Sequence, residues 1–377
     1  MRPIKILHCA DVHIGASESF LGTLSARRRT ETLLTFEKIL DTALEKEVDI
    51  VLIAGDLFDS NKIEKEFAER VFAAIARIAP IPVVIAAGNH DPLTADSPFT
   101  TRRLPENVHI FPGEYSCISF DSLQLRVYGK SFTGVYMHGD EQFNLPVPQD
   151  DFCNIAVLHG DTSGDINSDY NGITQNFIAS TGLDYIALGH IHRRSELQKC
   201  GSTYYDYPGC PEGQGFDELG VKGVYLATVQ KGACELDFIP MSRRQHLAVK
   251  IDISSCGDPA EIAPFIISKL KEIPDFQENL YKIILKGSIP ENFNIPLAEI
   301  ASRIASEVYF VKLRDNTAIA VDFDTLSHEN SLKGIFVRKM LEKQQKATDD
   351  EERSKLRLAL DIGLRAFYSE VKYRDDY

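Results

Sequence analysis

Five short apolar runs in the first half of the chain each end in a polar cluster carrying Asp, Asn or His, and no other feature limits the fold as strongly. Ile4–Leu7 leads into Asp11-x-His13, Ile50–Ala54 into Gly55-Asp56, and Val83–Ala87 into Gly88-Asn89-His90-Asp91. Ile155–Leu158 leads into His159-Gly160-Asp161, and Tyr185–Leu188 into Gly189-His190-Ile191-His192. Runs of this length, rich in Val and Ile and closed by Gly, read as buried strands. Between the first three runs, Leu33, Phe36, Leu40 and Ala43 recur at helical spacing, as do Phe67, Val71, Ile75 and Ile78. Such an order implies parallel pairing with the helices outside. Beyond Val108 the strands crowd together (Leu123–Tyr128, Val224–Val229, Glu235–Ile239). The expected architecture is α/β, a four-layer αββα sandwich in place of a single doubly wound sheet.

Near Met241–Leu247 the pattern changes. His246–Ile253, Tyr281–Leu285 and Val308–Leu313 read as strands, with helices carrying Ile262, Phe265, Ile266 and Leu270 and spanning Leu297–Ile304. A loop at Thr325–Asn330 leads into a helix with Leu332, Ile335, Phe336 and Met340. The polar stretch Gln344–Arg353 reads as a loop, and a last helix carries Leu356, Leu360, Leu364, Phe367 and Val371. Three segments follow: a sandwich over residues 1–247, a small α/β unit over 248–325 and a helical tail over 326–377. The tail has more apolar surface than so short a hairpin buries alone, so it either packs back on its own domain or offers a helix-in-groove dock to a partner's coiled coil.

The formal net charge of −14 argues against binding nucleic acid through one broad basic surface and raises the question of which cation the carboxylates hold. Seven scattered cysteines without a CxxC pair suit a reducing compartment, so a cytoplasmic location is expected. No apolar run approaches the roughly 20 residues of a membrane span, and Met1-Arg2-Pro3 followed by Ile4–Leu7 is too short for a signal peptide.

Strand ends are where sites form in α/β folds. In an extended segment Asp11 and His13 point the same way, as do His190 and His192, so each pair can reach one small volume. Oxygen and imidazole donors without thiolate suit Mn²⁺, Fe or Zn in five- or six-coordinate geometry and argue against a structural zinc cage. A lone Asp-x-His is an ordinary cap or turn, and a lone Gly-Asn-His-Asp an ordinary turn; five clusters in order at strand ends are neither. His8, inside its strand, reads as a buried hydrogen-bonded histidine, and His109, His138, His246 and His328 read as structural. Cys200 and Cys210 read as ordinary thiols.

The ordered set Asp11-x-His13, Gly55-Asp56-x-x-Asp59, Gly88-Asn89-His90-Asp91, His159-Gly160 and Gly189-His190-x-His192 resembles the calcineurin-like metallophosphoesterases over roughly residues 1–240. Protein phosphatases of that superfamily read Gly-Asp-x-x-Asp-Arg-Gly and Gly-Asn-His-Glu. Asp59-Ser60 and Asp91-Pro92 here look instead like the DNA-repair exonuclease branch, the SbcD-type nuclease subunit related to archaeal and eukaryotic break-repair nucleases. By layout, the C-terminal parts also fit that branch, whose members carry a DNA-capping domain and a segment that binds an ATPase coiled coil.

The resemblance implies two divalent metal ions, with Mn²⁺ the expected identity. Asp11, His13, Asp56 and His192 would hold the first, and Asp56, Asn89, His159 and His190 the second, Asp56 bridging. A bridging hydroxide would attack phosphorus while the ions stabilise the developing charge. His90 would orient the phosphate and protonate the leaving alkoxide. Asp59 would either hold the His90 imidazole or cap a helix. Arg193-Arg194, Arg102-Arg103 and Arg27-Arg28-Arg29, placed just before the first helix, are candidate backbone-phosphate contacts. The expected protein is a DNA nuclease subunit of a double-strand-break repair complex, a homodimer with an SbcC-like coiled-coil ATPase partner. The alternatives are a small-substrate phosphodiesterase or phosphatase, which needs no segment 248–325, and a regulatory binding subunit, which needs no full set of ligands.

Overall fold

The strands of the first half carry apolar side chains on both faces because both faces are covered, which is why they read as continuous runs and not as alternations. The structure is a computed structural model that describes residues 2–140, 143–290, 293–320 and 323–367. It places β1 (Ile4–Cys9), α1 (Ser25–Glu45), β2 (Ile50–Ala54), α2 (Lys65–Arg77), β3 (Val83–Ala86) and the short α3 (Pro98–Thr101) in order. There follow β4 (Val108–Ile110), β5 (Ser116–Phe120), β6 (Leu125–Gly129), β7 (Cys153–His159), α4 (Gln175–Thr181) and β8 (Tyr185–Gly189). Then come β9 (Gln198–Cys200), β10 (Thr203–Asp206), β11 (Gly223–Gln230) and β12 (Ala233–Pro240).

Two six-stranded sheets result, ordered β12-β11-β1-β2-β3-β4 and β5-β6-β7-β8-β10-β9. β1, β2 and β3 run parallel, as do β6, β7 and β8. Between the sheets, Ile4, Ile6, Ile50 and Leu52 meet Val127, Ile155, Val157 and Ala187. Their neighbours Leu7, Val51 and Ile53 point outward onto Phe36 and Leu40 of α1 and Val71 and Ile75 of α2. On the other side Phe177 and Ile178 of α4 cover Ala156, Leu158 and Ile186. Each of the buried Val, Leu, Ile and Phe side chains contributes on the order of 1.5–3 kcal/mol of burial free energy. The layers are helix, sheet, sheet and helix, as the sequence predicts.

The chain divides into two compact units, Met1–His246 and Leu247–Tyr377. In the second, β13 (His246–Asp252), α5 (Pro259–Leu270), β14 (Leu280–Lys286), β15 (Ser288–Ile289), α6 (Leu297–Ala305), β16 (Phe310–Asp315) and β17 (Ala318–Ile319) follow one another. The sheet β13-β14-β16 rests one face on α5 and α6 through Ile251, Ile283, Leu285, Ile262, Ile266 and Ile300. Asp258 and Glu261 form a capping box at the start of α5.

The tail departs from its sequence reading in two ways. The predicted loop at Thr325–Asn330 begins inside a short helix, α7 (Phe323–Ser327). The predicted loop Gln344–Arg353 shrinks to residues 347–349, because α8 (Leu332–Lys346) and α9 (Asp350–Ala366) both extend into it. Lys343 and Lys346 close one helix, and Asp350, Glu351 and Glu352 open the next. The charges that looked loop-like complement the two helix dipoles. Leu360 and Leu364 are buried against Leu326 and Val337 and so pack back on the tail itself, while Leu332, Ile335, Leu358, Ile362 and Phe367 stay exposed. Val371 lies outside the described residues. No helix among the described residues is long and apolar enough to cross a membrane.

Candidate metal centre

The polar clusters follow the ends of β1, β2, β3, β7 and β8, and their side chains meet. Asp11, His13, Asp56 and His190 have positive φ (53°, 49°, 49° and 101°), a region that non-glycine residues occupy only when the surroundings enforce it. Backbone bonds supply part of that enforcement: Asp11 N–H donates to Gly55 O at 3.1 Å and His13 N–H to Asp56 O at 2.9 Å. Gly88 and Gly189 are needed for room. A Cβ on Gly88 would lie 2.2 Å from Asp56 Oδ1, and one on Gly189 would lie 1.8 Å from Ala54 O.

Two donor sets share one carboxylate. In the first, His13 Nε2 lies 3.1 Å from His192 Nε2 and 3.7 Å from Asp56 Oδ2, and Asp11, His13 and His192 bring ligand atoms within 4.8 Å of one another. In the second, Asn89 Oδ1 lies 2.9 Å from His159 Nε2 and 3.2 Å from His190 Nδ1, and His159 Nε2 is 3.3 Å from Asp56 Oδ2. Asp11, His13, Asp56, Asn89 and His159 are buried.

The donor chemistry fits a cation. The ring of His159 donates Nδ1–H to Ala54 O at 2.8 Å, so its Nε2 faces two oxygen acceptors and needs a second proton or a metal between. Burial disfavours that proton, but the facing Asp56 and Asp11 carboxylates outweigh it and hold the imidazole at about 9. Burial likewise pushes Asp56 up, yet His159, His13 and His90 hold its carboxyl well below the usual range. Ligand atoms at right angles around a divalent ion, each about 2.1 Å from it, stand about 3 Å apart, close to the contacts of both sets. Each set can therefore hold one ion with little movement.

His90 stands on the rim, about half exposed, its ring in edge contact with that of His13 at 4.6 Å. Its Nδ1 lies 3.2 Å from the Asp59 carbonyl and 4.0 Å from the Asp59 carboxylate, which sits nearer to His13 Nδ1 at 3.3 Å. Asp59 caps no helix, since the N-cap of α2 is Glu64. His8 is fully buried between Tyr185 OH (2.8 Å) and Leu188 O (3.1 Å).

Several supporting residues gave no signal in the sequence. Glu218 takes the Nδ1–H of His192 on Oε1 and holds Gln214 N–H at 2.7 Å on Oε2, with Cys210 Sγ 3.5 Å away. It follows His192 by a stretch of loops and short strands, where no periodicity points at the site. Burial raises the Cys210 thiol well above its ordinary range. Asp91 closes the Gly88-Asn89-His90-Asp91 cluster without a ligand role of its own; it is buried and staples the loop by accepting from Gly88 N–H (2.8 Å) and Phe58 N–H (3.0 Å). Burial and the nearby Asp56 charge push its carboxyl up to about 6. Asn171 Nδ2 and Tyr207 OH donate to the His159 and Gly160 carbonyls, each at 2.8 Å.

The arginines separate. Arg27, Arg28 and Arg29 lie inside α1, which starts at Ser25, and not ahead of the first helix. Arg28 is buried among Glu18, Glu31 and Glu212 and faces no solvent, because the helix turns it inward. Arg29 bonds Gly15 O and Glu64. Arg193 and Arg194 are exposed directly after His192, with Arg194 over the Phe238 ring at 4.0 Å. Arg102, near Glu69, and Arg103 line a groove of about 570 Å³ with Lys65, Phe72 and Leu104.

Residues 4–194 match the calcineurin-like phosphoesterase family. The chain is 32% identical over 307 residues to an uncharacterized metallophosphoesterase, YhaO of Bacillus subtilis, covering 76% of this chain and 73% of that one. It is 26% identical over 314 residues to the DNA double-strand break repair protein Mre11 of Aeropyrum pernix, covering 76% and 74%. Against Mre11 of Methanopyrus kandleri the identity is 26% over 276 residues, covering 65% of this chain and 59% of that protein. With its paired sheets, its converging polar clusters and these matches, the chain belongs to the calcineurin-like phosphoesterase family.

Proposed function

We propose that the chain hydrolyses phosphodiester bonds of DNA with two divalent metal ions, Mn²⁺ among them, as the nuclease subunit of a break-repair complex. The observation that carries this is Asp56 Oδ2, 3.7 Å from His13 Nε2 and 3.3 Å from His159 Nε2, a carboxylate shared by two donor sets. Asp11, His13, Asp56 and His192 are assigned to one ion, and Asp56, Asn89, His159 and His190 to the other. Such ions acidify water and neutralise charge on phosphate.

The chain's own residues do the rest. Asp56 Oδ1 accepts His90 N–H at 2.9 Å, which holds the carboxylate with Oδ2 facing both donor sets. With Nδ1–H donated to the Asp59 carbonyl at 3.2 Å, the doubly protonated His90 ring carries its second proton on Nε2, and that proton passes to the leaving alkoxide and leaves the ring neutral. Arg193 and Arg194, exposed beside His192, meet backbone phosphates. Residues 248–325 orient the duplex, and residues 326–377 dock a coiled-coil ATPase. The Mre11 relatives support the DNA reading. The more similar YhaO is named only as a metallophosphoesterase, and that favours a small-substrate phosphoesterase as the second reading.

One assay separates them: purified protein with Mn²⁺, given linear duplex DNA, single-stranded DNA and a chromogenic phosphodiester. Cleavage of DNA is expected. Turnover of the chromogenic diester alone would favour the second reading, and turnover of none would leave a binding subunit.

A further inference from the structure

The support of His192 starts at an arginine that holds no metal. Arg28 of α1 is 1% exposed and donates Nε–H to Glu18 at 3.1 Å and Nη1–H to Glu31 at 3.2 Å. Its Nη2 donates to Glu212 Oε2 at 3.2 Å and to the Gly213 carbonyl at 3.0 Å. Glu212 is buried as well, and its Oε1 takes the Thr35 hydroxyl of α1 at 2.8 Å and Arg243 N–H at 2.5 Å. Glu212 and Gly213 are thus pinned to α1.

One residue later the same loop turns to the metal centre. Gln214 N–H donates to Glu218 Oε2 at 2.7 Å, Glu218 N–H donates to Gly215 O at 3.1 Å, and Glu218 Oε1 takes the Nδ1–H of His192. The loop is tightly packed: a Cβ on Gly213 would lie 2.9 Å from Glu218 O, and one on Gly209 would lie 2.7 Å from His192 O. From Arg28 to His192 every step is a hydrogen bond or a covalent link.

Adhesion alone does not account for this cluster, because apolar packing of the same volume holds a loop on a helix as well as a buried ionic cluster does, or better. Apolar packing does not supply direction. The guanidinium has five N–H donors in a rigid planar fork, so one side chain can fix a carbonyl and three carboxylates at once. We infer that Arg28 is a positioning residue for the metal centre: with Glu212 it sets the loop that carries Glu218, and through Glu218 it orients His192. The inference rests on the two-ion reading proposed above, in which His192 holds one ion.

The test reads metal retention and not turnover. Full-length wild type and variants are loaded with Mn²⁺, release of each ion to a competing chelator is followed, and the electron paramagnetic resonance of the bound ions is recorded. Arg28→Lys keeps the charge but cannot bond Gly213 O and all three carboxylates together. It should lose one ion about tenfold more readily, the low end for partners of a ligating histidine. The signal of a coupled pair should then give way to that of an isolated ion, the second ion staying bound. Glu212→Gln releases the loop from the other side. Two buried arginines meet three buried glutamates here, and burial already raises the Glu212 carboxyl above its ordinary range, so the neutral amide keeps the fold should Arg28→Lys fail to form it. Glu212→Gln should show the same selective loss. Arg70→Lys, which loosens the exposed pair of Arg70 on α2 with Glu37 on α1, is the control and should match wild type.

The route is tested by a double variant. If Arg28 acts through Glu218, Arg28→Lys combined with Glu218→Ala should retain metal no worse than Glu218→Ala alone, since coupled residues do not add. Additive losses, equal weakening of both ions, or unchanged retention in Arg28→Lys and Glu212→Gln overturns the inference while the two-ion reading stands. Wild type that never binds a pair of ions sinks the two-ion reading itself, and the inference with it.

Discussion

Glu218 fixes the ring of His192: by accepting its Nδ1–H, the carboxylate leaves His192 Nε2 to face His13 Nε2 across 3.1 Å. Because Glu218 is itself held by Gln214 N–H, the imidazole has one orientation and one tautomer available. Partners of this kind typically change metal affinity 10–100-fold when removed. On the proposed assignment, Glu218→Ala should weaken retention of one ion by about that factor while the other stays bound, measured by competition with a chelator. Glu218→Gln keeps an oxygen for the Nδ1–H and should recover most of the loss. Unchanged retention in both variants would reduce Glu218 to a structural contact.

A second test separates holding from protonating. His90 sits on the rim and Asp56 between the donor sets, so their removal should differ in kind. His90→Ala should keep both ions by elemental analysis and lose about 10²–10⁴-fold in turnover, the usual worth of a positioned acid. Asp56→Ala should disturb both ions. Loss of an ion equivalent in His90→Ala would make His90 a ligand and not an acid.

Gly88 offers a purely steric probe. Its backbone conformation is open to alanine, yet a Cβ would come within 2.2 Å of Asp56 Oδ1 and 2.7 Å of Asp56 N. Gly88→Ala must move the shared carboxylate, so metal retention should fall although no ligand is removed. Gly134→Ala, whose Cβ would meet nothing nearer than Tyr136 O at 3.9 Å, serves as the control and should behave as wild type. A Gly88→Ala protein with full metal content would mean that the loop shifts freely, contrary to the staple Asp91 provides.

These residues also mark what a sequence can reveal. Strands covered on both faces are legible as apolar runs, and the candidate ligands sit at or just beyond the end of each run, so Asp11, Asp56, Asn89, His159 and His190 could be picked out in order as candidates. Glu218 could not, since an isolated carboxylate among loops has no period and meets His192 only through tertiary structure. Arg28 misled for a related reason: three consecutive arginines look like a surface patch, but a helix turns each by about 100°, which sends one inward to Glu18, Glu31 and Glu212. Dipole-matched ends made Gln344–Arg353 look like loop.

The apolar stripe of α9 shows the same limit and yields the last prediction. Helical spacing puts Leu356, Leu360, Leu364 and Phe367 on one side, but spacing cannot tell whether the covering partner is α8 or another protein. Leu360 and Leu364 are 2% exposed and pack on Leu326 and Val337, so within the hairpin they are core. Leu360→Ala should therefore cost about 2–5 kcal/mol, the range for emptying a packed leucine site. Hydrogen exchange should show it as weakened amide protection along α8 and α9. Ile335 and Ile362, 43% and 45% exposed, lack that role, and Ile335→Ser with Ile362→Ser should leave exchange unchanged. If the tail docks a coiled coil as proposed, this exposed pair is where the contact is made, and the double variant should lose co-purification with the ATPase while keeping Mn²⁺-dependent diesterase activity. Retained co-purification would move the docking surface elsewhere, whereas weakened amide protection would return Ile335 and Ile362 to the hairpin's own packing.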